Sequence, residues 1–371
     1  MVVKCWTAID NSHLKHYRLY GHRIHGFRQM IKNAYDGGLF LKTLKIICIL
    51  LAAALLAGCS AHTALQETDA PAEVSPGGKN VFLSLYNDDN PWSIALANDI
   101  IAACEQHGVA ITVKNANGDK RTQYNDISSL NQNEYDMVLL SAVDKKVGGE
   151  CLTSCKEKNI PAMLVARNAD SLLGPDCITL IACDYELVGY SQGLSLLRKF
   201  GVEQDCNIVE LAGDPGSSIT VSLSRGMKRV TDSYPNLKVV SSKNTSTSTK
   251  GALDAIESVI QEGIDFQAVF CHSDSDALSA IQALKTAGLT PGCDPDKGEI
   301  IISSNCGYDV AIKAVATGEL YSTFNLDAHI GPLVVETMEK YWAGKLVTPR
   351  IQISYHEITS ENVDEWIGSG Y

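Results

Sequence analysis

The stretch Val81-Phe82-Leu83-Ser84-Leu85-Tyr86-Asn87-Asp88-Asp89-Asn90-Pro91-Trp92 decides the fold. Its first five residues are an apolar run of strand length, and Ser93 to His107 reads as a helix. The polar turn therefore lies at the carboxyl end of a strand that a helix follows. In open parallel α/β sheets ligands bind at that end. Carboxylates and amides suit hydroxyl groups, and an indole face covers an apolar sugar face. An ordinary βα turn, with Pro91 and Asp/Asn as turn and cap residues, fits the same stretch.

Downstream, the strand–helix alternation continues. Strands are expected at Val109 to Lys114, Met137 to Ser141, Ala162 to Val165 and Ile178 to Ile181. More follow at Ile208 to Leu211, Leu237 to Ser241, Ala268 to Cys271, Ile300 to Ser303 and Leu320 to Phe324. Short continuous apolar runs suit strands buried on both faces. In the first helix Ile94, Ala97, Ile101 and Cys104 recur at helical spacing. Ser275-Asp276 offers cap chemistry for a helix from Ala277 to Thr286, closed by Gly288. About ten strands fit two sheets better than one, and the break falls near Ala182-Cys183-Asp184. The expected class is α/β, with two Rossmann-like lobes of parallel sheet.

Upstream, Lys42 and Lys45 precede the apolar run Ile46 to Ala57, which is short for a membrane span and right for a signal segment. Leu56-Ala57-Gly58-Cys59 resembles a bacterial lipobox, so Cys59 is the expected lipidation site and residues 1–58 the removed region. Met30 is a more ordinary start than Met1, because residues 1–29 are basic and His-rich. Residues 59–80 read as a flexible tether. Removal of residues 1–58 takes away eight Lys/Arg and two Asp/Glu, which moves the formal charge from −12 to −18. A body so acidic argues against nucleic acid as a partner.

The twelve cysteines follow no regular framework, and core packing or a reducing habitat accounts for most of them. Cys151 and Cys155 read as a helix face; their spacing is wrong for a zinc ribbon. Gly213-Asp214-Pro215-Gly216-Ser217-Ser218 lacks the Gly-Lys-Ser/Thr of a phosphate loop. His272 beside Asp274 is a thin basis for acid/base chemistry, and no Gly-x-Ser-x-Gly or His-Glu-x-x-His occurs. No enzyme, cofactor or metal is expected.

From Val81 to about Trp366 the order of motifs resembles the type I periplasmic sugar-binding proteins, near the ribose and galactose/glucose binders. Tyr86 to Ser93 is similar to the galactose/glucose-type first loop. Gln123 to Ile127 with Tyr135 to Leu140, Ile160 to Ala169, and Gly189 to Leu197 match further segments. Ser273 to Leu278 with Leu284 to Gly288 is the best single match. Gly318-Glu319-Leu320 with Thr323-Phe324-Asn325, and Ile358 to Asp364, complete it.

The resemblance implies two lobes joined by three crossovers that close on one ligand. One lobe comprises 81–184 plus about 326–352, the other 185–325 plus about 353–371. It implies a pocket of Asp89, Asn90, Trp92, Ser141, Arg167, Ser273, Asp274, Asn305 and Asn325. Locally, Asp274 reads equally as a helix cap, Trp92 as core and Arg167 as half of a surface ion pair. Ala166 stands where ribose binders carry an Asp, and Leu223 where an Arg reaches the ligand. The galactose/glucose calcium loop has no counterpart at Gly201 to Cys206. The implied function is a lipid-anchored, extracytoplasmic solute-binding protein for an ABC permease. Its implied ligand is small and polar, a monosaccharide first. A receptor-coupled sensor (a chemoreceptor partner) and a lac-repressor-like effector module are the alternatives; the latter lacks its helix-turn-helix here.

Overall fold

The structure is a computed structural model that describes residues 78–87, 89–245 and 248–371. The expected signal segment, Cys59 and nearly all of the tether lie outside the described residues. The described residues belong to one compact unit that runs from Pro71 to Tyr371. No helix among them is long and apolar enough to cross a membrane.

Two sheets organise this unit. The first is built from β1 (Asn80–Leu85), β2 (Ala110–Asn115), β3 (Met137–Leu140), β4 (Ala162–Val165), β5 (Leu180–Ala182) and, late in the chain, Arg350–Gln352. The second takes β6 (Cys206–Ala212), β7 (Leu237–Asn244), β8 (Ala268–Cys271), the two-residue β9 (Pro291–Gly292), β10 (Ile300–Cys306) and β11 (Ser322–Leu326). Arg350–Gln352 is β12, and β13 (Tyr355–Ile358) closes the second sheet. The orders are β12-β5-β4-β3-β1-β2 and β13-β11-β10-β8-β6-β7, with β9 beside β10. All pairings are parallel except β13 on β11. Two α/β lobes are therefore present, as the alternation predicts.

Burial explains the layout. All four residues of β3 are buried, as are those of β4 and β8. Such strands must be covered on both faces, which parallel sheets flanked by helices achieve. The edge strands β2 and β7 carry mostly exposed residues instead. The chain passes from the first sheet to the second after β5, back after β11, and over again after β12. Two passages touch where Cys183 Sγ meets the Ser354 carbonyl at 3.5 Å. The helix α1 (Pro91–Gln106) buries Trp92, Leu96, Ala97, Ile100 and Cys104. Its inner face is therefore turned from the expected one, and Ile94 is 45 % exposed. Small Ser93 and Ala103 sit inward, where an apolar count misses them.

Candidate functional site

In each sheet the strand order reverses once, between β1 and β3 and between β6 and β8. Loops that leave such strands in opposite directions open a crevice at their carboxyl ends. Here the two crevices face each other and form one cleft. Its walls come from the turns after β1, β4, β6, β8 and β10. Its open space is about 790 Å³, counting the solvent-filled mouth.

The first-lobe wall is set by local bonds. Asn90 caps α1, its Oδ1 accepting from the Ser93 amide at 2.9 Å. Its Nδ2 donates to the Tyr86 hydroxyl at 3.2 Å and to Asp89 Oδ1 at 3.4 Å. Asp89 is exposed and its amide donates to Asn87 Oδ1 at 2.7 Å, an Asx turn. Trp92 lines the cleft and is nearly buried, its indole N–H donating to the Leu326 carbonyl at 2.6 Å. Core packing and cleft lining are both true of it. The indole nitrogen is occupied, so only ring carbons are left for the cleft.

Arg167 rises from the turn after β4, where Ala166 adopts a left-handed φ of 62°. The guanidinium is buried rather than paired with a surface carboxylate. Nε donates to the Ala142 carbonyl at 2.6 Å, and Nη2 to the Val143 carbonyl and to Ser217 Oγ, both at 2.9 Å. Its Cζ lies 4.0 Å from the centre of the Tyr86 ring. Nη1 has no hydrogen-bond partner among the described residues.

The second-lobe wall rests on long-range bonds. Ser273, not Ser275-Asp276, caps the helix α7 (Asp274–Thr286), here the seventh in chain order. Asp274 is fully buried behind the wall. Its Oδ1 accepts from Ser304 Oγ at 2.5 Å and Thr323 Oγ1 at 2.6 Å. Its Oδ2 accepts from the amides of Gly307 and Tyr308 at 2.8 and 2.7 Å. These bonds fix a tight turn in which Cys306 has φ 128° and Gly307 φ 84°. A Cβ on Gly307 would lie 2.6 Å from Asn325 Nδ2, so only glycine lets the turn pass. The turn presents Asn305, Cys306 and Tyr308 to the cleft.

His272 stands beside them, its Nε2 3.0 Å from Glu210 Oε1. Burial pushes the Glu210 carboxyl up, but the bond and charge of His272, helped by Ser224, outweigh it and hold the group at about 2. Burial pushes Asp276 up to about 6, against the pull of Ser273.

Of the nine expected pocket residues, the structure brings Asp89, Asn90, Trp92, Arg167, Ser273 and Asn305 to this cleft. Three do not reach it. Ser141 is sealed by Gln123, whose amide bridges Ser84 Oγ, the Ser141 carbonyl and the Val143 amide at 3.1, 3.0 and 2.8 Å. Asp274 is consumed by its four donors, and Asn325 lies behind Gly307. Leu223 also faces away, its backbone packed against Gly189 in the interface of two helices. Cys151 and Cys155 are buried on one helix face, their thiols pushed up to about 12 by burial.

Sequence reasoning missed Tyr86, Tyr185, Asp214, Ser217, His272 and Tyr308 as lining residues. Tyr86 and Asp214 stood inside motifs already singled out. Tyr185 had no local signal, yet its buried hydroxyl has no hydrogen-bond partner among the described residues.

Residues 81–346 match the family model described as a periplasmic binding protein domain. The chain is 25 % identical over 264 residues to a galactofuranose-binding protein of Escherichia coli (strain K12), covering 70 % of this chain and 81 % of that one. It is 25 % identical over 309 residues to the ribose import binding protein of Bacillus subtilis (strain 168), covering 82 % and 95 %. Among solved structures, the binding component of the arabinose ABC transporter from Shewanella sp. ANA-3, bound to L-arabinofuranose, superposes with a TM-score of 0.72. It is 26 % identical and covers 78 % of this chain and 95 % of that one.

Proposed function

Because the chain belongs to the periplasmic-binding-protein family, we propose that it captures one monosaccharide between its lobes and hands it to an ABC permease. Its relatives are binding proteins of transport systems and not enzymes. Ribose, galactofuranose and arabinofuranose are the ligands named for the relatives, so a sugar that populates a five-membered ring is the first candidate.

One observation carries the reading. Arg167 is held by two carbonyls and lies over the Tyr86 ring, with Nη1 left over in a cleft that Trp92, Asp89, Asn90 and Asn305 also line. A fixed amino group with two hydrogens left to donate can meet two sugar hydroxyls while an aromatic ring covers the apolar side of the sugar. The site does not need the Arg expected at Leu223 or the Asp expected at Ala166. The second lobe supplies Asp214, Ser273 and Asn305 instead.

The reading is tested by a thermal-shift screen of the purified protein against L-arabinose, D-galactose, D-ribose, other sugars, polyols, nucleosides and amino acids. A ligand present at 100 times its dissociation constant adds about 2.7 kcal/mol. A sugar is expected to give that rise. A screen in which only nucleosides or amino acids raise the midpoint overturns the sugar assignment.

Anchoring through Cys59 belongs to the same proposal. Cys59→Ala is expected to leave the unprocessed form and to remove lipid labelling. Unchanged processing would put the anchor elsewhere. The passages between the sheets, at Cys183-Asp184, after Leu326 and at Ile353-Ser354, are the proposed hinge.

A further inference from the structure

The glycine-rich segment Gly213 to Ser218 has no phosphate-loop chemistry, yet it meets the opposite lobe at three consecutive residues. The Lys145 amide donates to the Gly216 carbonyl at 3.2 Å. Arg167 Nη2 donates to Ser217 Oγ at 2.9 Å. The Asn168 amide donates to Ser218 Oγ at 3.0 Å. Every donor belongs to the first lobe and every acceptor to the second. Lys145 is the first residue of its helix, so its N–H has no partner within that helix. The Gly216 carbonyl fills the place that water would take with the lobes apart.

Gly216 adds a second, steric observation. A Cβ built there would lie 3.2 Å from Asp144 Cβ and 3.3 Å from Asp144 Oδ2, and its three nearest neighbours all belong to Asp144, in the other lobe. Its φ is not among the left-handed glycines. The closest crowding of a side chain at this position would therefore come from Asp144 across the cleft, at a contact a few tenths of an ångström tighter than usual. Asp144 is itself held in place, capping its helix through Val147 at 2.7 Å and pairing with Lys120 at 2.6 Å.

We propose that Gly216, Ser217 and Ser218 are positioning residues that latch the lobes together, and that Arg167 joins ligand and latch in one side chain. This rests on the cleft being the binding site but not on which ligand fills it. Arg167 offers Nη1 to the ligand and Nη2 to Ser217, so closure and capture share one group. Loss of the latch leaves the open-lobe encounter as it was and lets the closed complex open sooner. Its effect falls on the dissociation rate.

The test uses Gly216→Val and Ser218→Ala. Ser217→Ala is avoided as the main variant because Ser217 also caps its own helix. Stopped-flow tryptophan fluorescence is read with L-arabinose, D-galactose and D-ribose as probes. Small-angle scattering of the sugar-free protein gives the radius of gyration. Gly216→Val is expected to speed dissociation at least tenfold, Ser218→Ala about threefold, with association within twofold of the parent. Gly216→Val is also expected to increase the sugar-free radius of gyration at an unchanged melting temperature. Dissociation rates and radius equal to the parent's in Gly216→Val overturn the latch, and so does a change confined to association. If none of the three sugars binds the parent, the sugar reading fails, while the scattering comparison still decides the latch.

Discussion

The two walls of the cleft are built by opposite means. On the first lobe, Tyr86, Asp89, Asn90 and Trp92 fall within seven consecutive positions, and all but the indole bond to Leu326 are organised by neighbours in sequence. On the second lobe, Tyr308 is placed by Asp274, 34 residues earlier, Asn305 donates to Gln192 and to the Cys271 carbonyl, and Asp274 leans on Thr323, forty-nine later. The first wall is a turn with local cap chemistry. The second is a surface stretched over a buried polar cluster. The first should tolerate damage locally, and the second should couple binding to the stability of the lobe.

The largest expected effect is on that cluster. Asp274→Ala leaves two hydroxyls and two amides without an acceptor in a buried place. At roughly 1–3 kcal/mol for each unmet group, partly recovered by relaxation, the loss should be about 4 kcal/mol in urea unfolding. A loss below about 1 kcal/mol would mean that the turn at Gly307 stands without it. Next comes the pocket. Trp92→Ala and Arg167→Ala should each weaken sugar binding more than tenfold, or about 1.4 kcal/mol, by isothermal titration. For Trp92→Ala, a parallel loss of stability is expected from its buried position.

Two buried carboxyls of the second lobe, Asp276 and Glu210, add their own pH dependence. Asp276 has a folded value raised to about 6. For a carboxyl raised in this way the folded state binds the proton more tightly, so stability falls as pH rises through about 4 to 6. Glu210 is depressed to about 2. Its contribution is present above the ordinary Glu value and is lost as pH falls towards 2. The melting temperature should therefore be higher near pH 5 than near pH 7.5 and fall again below about pH 4. Asp276→Asn should flatten the first slope. An unchanged slope in that variant would assign it to another group. The smallest effect is expected from Asn90→Ala, which removes a helix cap worth about 1 kcal/mol and leaves the second wall intact.

The same contrast explains what was legible in the sequence. The strand positions, the two-lobe class and the first-lobe loop followed from short-range patterns, and Ala162–Val165 and Ala268–Cys271 agree to the residue. The misplaced features depend on distant partners. Nothing near Asp274 signals that Ser304 and Thr323 consume its carboxylate, so a cap and a ligand contact were both open readings. Ser141 ends a strand as a pocket residue should, but Gln123 closes over it from another helix. The strands β12 and β13 are short and half exposed, without the apolar run that marks the others. Ser217 and Gly216 gain their meaning only when the second lobe meets the first.

The proposed binding mode sets a sugar in this cleft against Trp92 and the unpaired Nη1 of Arg167. Isothermal titration of the purified protein with L-arabinose, D-galactose and D-ribose, alongside Trp92→Ala and Arg167→Ala, tests it most directly. Saturable binding of at least one sugar with a stoichiometry of one is expected, weakened more than tenfold in both variants. Sugar binding of unchanged affinity in both variants would contradict it.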